Sequence, residues 1–178
     1  MVERHVSIFP DLSNEMVLFR RETGPHGELS NWYPCNVWAS IGGREYVYDS
    51  SEHLFMARKA DHFGYSRSVA RLQRKGLTAG ECKAIGRGVV GFTARGWDAV
   101  KPKVMFEVVL AKFEQNRELA ELLIGTGEKV IVEASPHDGV WGTRMNAADI
   151  LSGKEWNGEN LLGVVKGAPV CTSLVTSY

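Results

Sequence analysis

Short segments in which apolar and polar positions alternate predict the strands of this chain. Val37–Ile41 and Arg44–Tyr48 flank the dipeptide Gly42-Gly43, a two-residue loop typical of a tight β-hairpin. Tyr46 and Tyr48 then lie on one face of the hairpin, because side chains alternate along a strand. Further short strands are predicted at residues 6–9, 16–20 and 129–133.

From residue 50 onward the pattern becomes helical. Asp49, Ser50 or Ser51 can cap a first helix that continues to about residue 62. Further helices are predicted at residues 66–75, 79–90 (after a capping box at 78–81), 102–116, 117–124 and 157–165. The predicted fold class is therefore α+β, mostly helical, with a small antiparallel sheet. No internal repeat or linker divides residues 1–178, which we expect to form a single domain.

Composition and charge argue against several classes of protein. The 178 residues include 21 Lys and Arg and 21 Asp and Glu, so the formal net charge is zero. Such a chain is not expected to hold long nucleic acid by bulk electrostatics, although a local phosphate pocket is compatible with it. No apolar run is long enough for a signal peptide or a membrane span. Three widely spaced cysteines without a CxxC motif indicate reduced thiols, so we expect a cytoplasmic protein.

Residues 51–60, SEHLFMARKA, place two charged side chains within an apolar helical stripe. Residues seven apart on a helix are about 20° from eclipse, so Glu52 and Lys59 share one face. Burial of either charge is costly without a partner. Glu52 is then either the capping-box carboxylate of Asp49, with Lys59 extending to solvent, or an acid/base carboxylate beside a lysine whose pKa is lowered by desolvation.

Two further segments combine aromatic and small polar residues. Residues 133–142, EASPHDGVWG, predict a strand and a polar turn, where Trp141 can offer a flat face for a base or ribose. The alternative is a turn stabilised by Asp138 with Trp141 packed in the core. The same two interpretations apply to Trp97. Residues 27–34, GELSNWYP, taken alone indicate only a turn followed by apolar anchors.

Several motifs for other chemistry are missing from the sequence. The five histidines do not form an HExxH motif, and no P-loop, GxGxxG or GxSxG motif is present. We therefore expect neither a metal site nor an organic cofactor. The basic residues that remain are interpreted as solvated helix faces: Lys101, Lys103, Arg71, Arg74 and Lys75.

Taken together, the segments resemble the NADAR or YbiA-like family. The matching segments are LSNWYP (29–34), YDSSEHLFMARKA (48–60), AIGRGV (84–89), GW (96–97), VMFEVVLAKFEQN (104–116), LLIGTG (122–127), EASPHDGVWG (133–142) and WNGENLLG (156–163). Their order and spacing cover about residues 27–163. The resemblance implies a mostly helical α+β domain, in agreement with the predicted elements.

The resemblance also implies an active site. Glu52 matches the active-site glutamate of the family and Lys59 its active-site lysine. Ser30 and Asn31 match the polar turn that lines the pocket. The positions that contact substrate in the family are matched by Trp97, Asp138 and Trp141. Two arginines suit a phosphate group. The candidate substrate-binding residues are Arg20, Ser30, Asn31, Trp32, Arg87, Trp97, Asp138 and Trp141.

The implied activity is that of an N-glycosidase, a hydrolase that cuts the bond between a ribose anomeric carbon and a nitrogen. We expect ADP-ribosylated guanine, in DNA or as a nucleotide, as the substrate. Phosphoribosylated intermediates of riboflavin synthesis are the alternative, and a non-catalytic ADP-ribose or nucleotide-binding module is a rival from another class. Glu52 would stabilise an oxocarbenium-like state and exchange a proton. Lys59 would either form a Schiff base with the sugar or assist direct attack by water.

Two features depart from the family pattern. After Trp141-Gly142 the family usually has a second glycine two residues on, where this chain has Arg144. Members of the family also tend to end in an amphipathic helix that contains an arginine. Here we expect Gly167 and Pro169 to break such a helix. These departures concern the choice of substrate more than the catalytic residues.

Overall fold

A computed structural model describes residues 14–175 of the chain. Within that part, four strands and nine α-helices follow in this order: β1 (Met16–Phe19), β2 (Val37–Ile41), β3 (Arg44–Tyr48), α1 (Ser51–His62), α2 (Ser66–Leu72), α3 (Ala79–Arg87), α4 (Ala94–Asp98), α5 (Lys101–Glu114), α6 (Arg117–Ile124), β4 (Val130–Glu133), α7 (Ala147–Leu151), α8 (Leu161–Lys166) and α9 (Ala168–Val175). The predicted α+β class with a helical majority is confirmed. The strand predicted at residues 6–9 lies outside the described residues.

Two separate pairs of strands form, one of them unforeseen. β2 and β3 make the predicted antiparallel hairpin, with Val37 opposite Tyr48 and both turn glycines at positive φ. β1 and β4 pair in parallel, with Phe19 opposite Glu133. The two strands are far apart in the sequence. Each segment alone predicts only a short strand and does not indicate its partner. The parallel pair brings the residues that follow β1 beside those that follow β4.

Helix α1 is the central element of the core. It packs against α2, α3 and α5, and eight of its twelve residues are buried. Leu54, Phe55 and Ala57 fill the interior, each being at most 2% exposed. A helix surrounded in this way buries polar positions together with apolar ones. The burial of Glu52 therefore follows from the place of α1 in the fold.

Three short helices were not predicted. α4 and α7 contain five residues each, which is too short for helical periodicity to show in the sequence. The predicted break at Gly167 is present, whereas the prediction that Pro169 also breaks the helix is wrong. Gly167 ends α8, and Pro169 lies in the first turn of α9, where a backbone N–H has no intrahelical partner to lose. Within residues 14–175, no helix has the length and apolar character needed to cross a membrane.

Candidate active site

A cavity of about 800 Å³ opens between the start of α1, helix α3 and the loops that follow β1 and β4. Nine of the ten residues predicted for the site line it: Arg20, Ser30, Asn31, Trp32, Glu52, Arg87, Trp97, Asp138 and Trp141. The tenth, Lys59, is outside this lining. The fold thus brings together residues that are spread over most of the sequence. This volume is in the usual range for a small-molecule site.

Glu52 is the second residue of α1, and its carboxyl group is not used as a helix cap. Ser50 is the N-cap, and its side chain accepts a hydrogen bond from the His53 N–H. The proposed capping role of Glu52 is therefore wrong, since the capping-box position is held by His53. Glu52 is 6% exposed, and its Oε1 has no hydrogen-bond partner among the described residues. Burial raises the pKa of this carboxyl to about 7.

Lys59 lies two turns along α1 from Glu52 and faces a different environment. Its Nζ lies 4.2 Å from the centroid of the Phe92 ring and 5.9 Å from that of Trp97. Burial lowers the pKa of the ammonium and Arg87 adds to this, whereas Glu52 opposes it. The shared helical face is real, but the carboxyl points into the cavity while the amine rests on aromatic rings beside it.

Helix α3 supplies two positive charges to the cavity. Lys83 and Arg87 are one turn apart and both line the cavity, and they act on the Glu52 carboxyl to oppose the rise of its pKa. The close approach of α3 depends on Gly86, because a Cβ at this position would overlap the Sδ of Met56 on α1. Gly86 therefore serves the packing of α3 against α1. The spacing of four residues between Lys83 and Arg87 places both on one face of α3, and this spacing could have predicted Lys83 as a cavity residue.

The loop that carries Asn31 is held in place by hydrogen bonds from the helices that pack against it. The Glu52 N–H donates to the Asn31 carbonyl at 2.9 Å, which ties the loop to α1. Asn31 Nδ2 lies 3.2 Å from Met105 Sδ, and Asn31 Oδ1 accepts a hydrogen bond from Lys166 Nζ at 3.2 Å. Lys112 Nζ donates to the Ser30 carbonyl at 2.9 Å. Both lysines are fully buried, which their helical patterns did not indicate.

The loop after β4 has features of both predicted roles, a turn stabilised by Asp138 and a binding surface that includes Trp141. Asp138 Oδ1 accepts hydrogen bonds from the N–H groups of Val140 and Trp141, at 3.0 and 2.8 Å, and so stabilises the turn. Trp141 is half-buried, and its ring stands edge-on to that of Phe55 at 5.5 Å. Trp97 is 7% exposed and belongs to the core. All three predicted residues of these clusters still line the cavity, so structural and binding roles coincide here.

Several charged and polar residues of the cavity were missed from the sequence: Arg21, Glu22, Lys83, Lys101, Glu133, Ser135 and His137. The interpretation of Lys101 as part of a solvated face is wrong. Its side chain is 17% exposed, and its Nζ lies 2.6 Å from the Asp98 carboxylate. By contrast, Lys103 is 82% exposed, as predicted. Among residues 14–175, no group of three or more His, Cys, Asp or Glu side chains is placed to hold a metal ion.

Residues 18–166 match the family model of the NADAR domain. The chain belongs to the NADAR family. The resemblance predicted from the motifs is thereby confirmed. A relative from Acanthamoeba polyphaga mimivirus, named an N-glycosidase, is 36% identical over 151 residues, which cover 82% of this chain and 86% of the relative.

Two further proteins are similar to this chain. A riboflavin biosynthesis protein of Vibrio vulnificus is 28% identical over 153 residues, which cover 86% of this chain but 37% of that protein. The NMR structure of the Escherichia coli protein YbiA has a TM-score of 0.71 and 24% identity, covering 98% of this chain and 91% of that one. The latter likeness establishes that the two share a fold.

Arg144, the departure from the NADAR pattern, lies behind the cavity. Its φ is +58°, a left-handed conformation that glycine adopts without strain. Its N–H donates to the Asp138 carbonyl at 3.0 Å. The guanidinium packs against Gly139, where a Cβ would overlap it. Arg144 therefore supports the loop that carries Asp138 and Trp141, while its own side chain lies outside the residues that line the cavity.

Proposed function

We propose that the protein is an N-glycosidase that hydrolyses the C1–N bond of a phosphorylated N-riboside. The observation that carries the proposal is the buried Glu52 carboxyl, which faces the cavity with one oxygen unpartnered among the described residues. An unsatisfied buried carboxyl is costly to the fold, and a substrate that binds beside it repays this cost. The N-glycosidase name of the mimivirus relative supports the same activity.

The chemistry of C1–N cleavage fits this carboxyl. The reaction passes through an oxocarbenium-like state, whose positive charge is stabilised by a nearby carboxylate. Glu52 supplies that charge, and a pKa near neutrality lets it also accept a proton from the attacking water. Arg20 and Arg87 contribute hydrogen bonds to phosphate, and the ring of Trp141 holds the base by stacking. None of these steps needs a metal ion or an organic cofactor.

The walls of the cavity favour ADP-ribosylated guanine, in DNA or as a nucleotide, over a smaller substrate. Five cationic side chains line it: Arg20, Arg21, Lys83, Arg87 and Lys101. This number suits a diphosphate better than a single phosphate monoester. The aromatic rings of Trp32, at the exposed rim, and Trp141, further in, can each hold a base. Phosphoribosylated intermediates of riboflavin synthesis are the second candidate, supported by the name of the Vibrio relative.

The position of Lys59 favours direct attack by water at C1. Its amine lies over Phe92, so an imine with the sugar requires the side chain to swing toward the cavity. Where it lies, its positive charge stabilises the Glu52 carboxylate. The Schiff-base route remains a prediction that trapping can test.

One experiment distinguishes the candidates. The protein is incubated with an ADP-ribosylated guanosine oligonucleotide and, separately, with a phosphoribosylated aminopyrimidine, and the released sugar is measured. Release of ADP-ribose supports the first substrate, and release of ribose 5-phosphate the second. Binding of either compound without release of sugar would contradict an enzyme and favour a nucleotide-binding module. We further propose a reducing, cytoplasmic site of action, since all three cysteines are free thiols.

A further inference from the structure

Glu133 is fixed at the end of β4 by its backbone. Its N–H donates to Asn160 Oδ1 at 3.0 Å, and Asn160 Nδ2 donates to the Ile131 carbonyl at 2.9 Å, so one side chain clamps β4 at two points. The Glu133 carbonyl accepts hydrogen bonds from the N–H and hydroxyl groups of Thr143, at 3.0 and 3.2 Å. The backbone of Glu133 is therefore held rigidly. Such support is expected for a side chain that must be positioned precisely against a substrate.

The side chain of Glu133 acts on the fold through its charge, which favours the ammonium form of the buried Lys166. It lines the cavity from the β4 side, whereas Glu52 lines it from α1. Its Oε2 is buried and lacks a hydrogen-bond partner in the part of the chain that the structure describes. A carboxyl that served only the fold would be paired, because an unsatisfied buried polar atom is destabilising.

We infer that Glu133 is a second catalytic carboxyl, which donates the proton to the leaving nitrogen base while Glu52 acts as the carboxylate. This inference rests on the proposed N-glycosidase function and deepens it. A neutral base leaves C1 readily only when its nitrogen receives a proton as the bond breaks. A paired acid and base in one cavity supplies both proton transfers of a hydrolysis.

The charges around Glu133 are consistent with a proton held near neutral pH. Burial raises the pKa of its carboxyl to about 7, and the carboxyls of Asp138 and Glu52 act in the same direction. Lys166 on α8 and Lys83 on α3 oppose them. Further charged or titratable groups lie along the cavity at Arg20, Arg21, Glu22, Arg87, Lys101 and His137. Because like charges disfavour each other, ionisation of Glu52 favours retention of a proton by Glu133.

The step balances as follows. The C1–N bond breaks, its electron pair goes to the base nitrogen, and the Glu133 proton goes to the same base. Water then forms a bond to C1 and gives a proton to the Glu52 carboxylate. Exchange with solvent returns Glu133 to its acid form and Glu52 to its carboxylate form. The products are the free sugar and the neutral base.

The test uses Glu133→Gln with a series of N-ribosides whose leaving bases differ in basicity. Wild-type kcat should vary little across the series, because the acid assists every base. The variant should lose about 10²- to 10⁴-fold with the poorest leaving base and much less with the best. The alkaline limb of the wild-type pH profile of kcat/KM should also be absent from the profile of the variant. Glu128→Gln, which removes an exposed carboxyl just before β4, should leave both readouts unchanged.

Glu133→Asp covers the case in which the glutamine variant does not fold. It keeps a transferable proton on a shorter side chain, so the alkaline limb should remain while kcat falls. A folded glutamine variant that retains wild-type kcat throughout the series, or a folded aspartate variant that lacks the alkaline limb, would overturn the role of Glu133 alone. If the wild-type protein releases no sugar from any riboside, the proposed function itself fails, and the role of Glu133 with it.

Discussion

The amine of Lys166 lies 3.2 Å from the side-chain oxygen of Asn31, and both groups are buried. Lys112, also fully buried, donates to the carbonyl of Ser30 next to it. Two lysines from α5 and α8 therefore hold the loop that lines one side of the cavity. Burial lowers the pKa of both amines, that of Lys112 to about 8.

We predict that Lys112→Met removes a rise in stability at alkaline pH. The folded-state pKa of Lys112 is below its usual value, so between pH 8 and pH 10 the unfolded chain binds the extra proton. The free energy of unfolding of the wild type should therefore gain about 2 kcal/mol from Lys112 over this range. Denaturant titrations at several pH values measure the free energy of unfolding of both proteins. The buried thiols are present in both, so the difference between the two curves reports Lys112 alone. Parallel curves for the two proteins would contradict the prediction.

We predict that Glu52→Gln loses most activity yet gains stability above pH 7. The folded-state pKa of Glu52 is raised to about 7, so wild-type stability falls as pH rises from about 4.5 to 7. The amide variant lacks this loss, which amounts to about 3 kcal/mol or less by linkage. Turnover assays and unfolding at pH 4.5 and 8 check both statements. A variant that keeps its rate and is less stable at pH 8 would indicate a structural role instead.

We predict that Trp141→Ala weakens substrate binding more than it damages the fold. A base stacked on an indole contributes about 1–3 kcal/mol, which corresponds to a 5- to 150-fold change in Kd. Trp97→Ala is the matched comparison, since Trp97 is 7% exposed and its truncation should cost about 3–5 kcal/mol of stability. Calorimetry of binding and thermal unfolding separate the two effects. Unfolding of the Trp141 variant at ordinary temperature would place this residue in the core.

Borohydride trapping tests the chemistry of Lys59. If the Schiff-base route operates, reduction during turnover should leave a ribosyl-phosphate or ADP-ribosyl adduct on Lys59, visible by peptide mass spectrometry. Lys59→Arg should abolish the adduct, because a guanidinium stays charged. Because the amine lies over Phe92, we predict turnover without an adduct and an active Lys59→Arg variant. An adduct on the wild type would establish the imine route.

Much of the fold could be predicted because its signals are local. The dipeptide Gly42-Gly43 specifies the hairpin, and α1 ends where the sequence predicts, at His62. The parallel pairing of β1 with β4 could not be predicted, since neither strand carries information about its distant partner. Pro169 misled the prediction because its effect depends on its position within a helix, and at the start of α9 it is tolerated.

The sequence by itself determined the family, the fold class and nine of the residues that line the cavity, because short motifs and helical spacing record these directly. The tertiary structure decided which charges are buried and where they point. Glu52 enters the cavity while Lys59 rests on Phe92, although both share a helical face. The buried positions of Glu133 on β4 and Lys166 on α8 became evident only in the tertiary structure. These positions suggested a catalytic role for Glu133 and a supporting role for Lys166. Burial and its cost depend on what surrounds a side chain, and those surroundings come from elements distant in the chain.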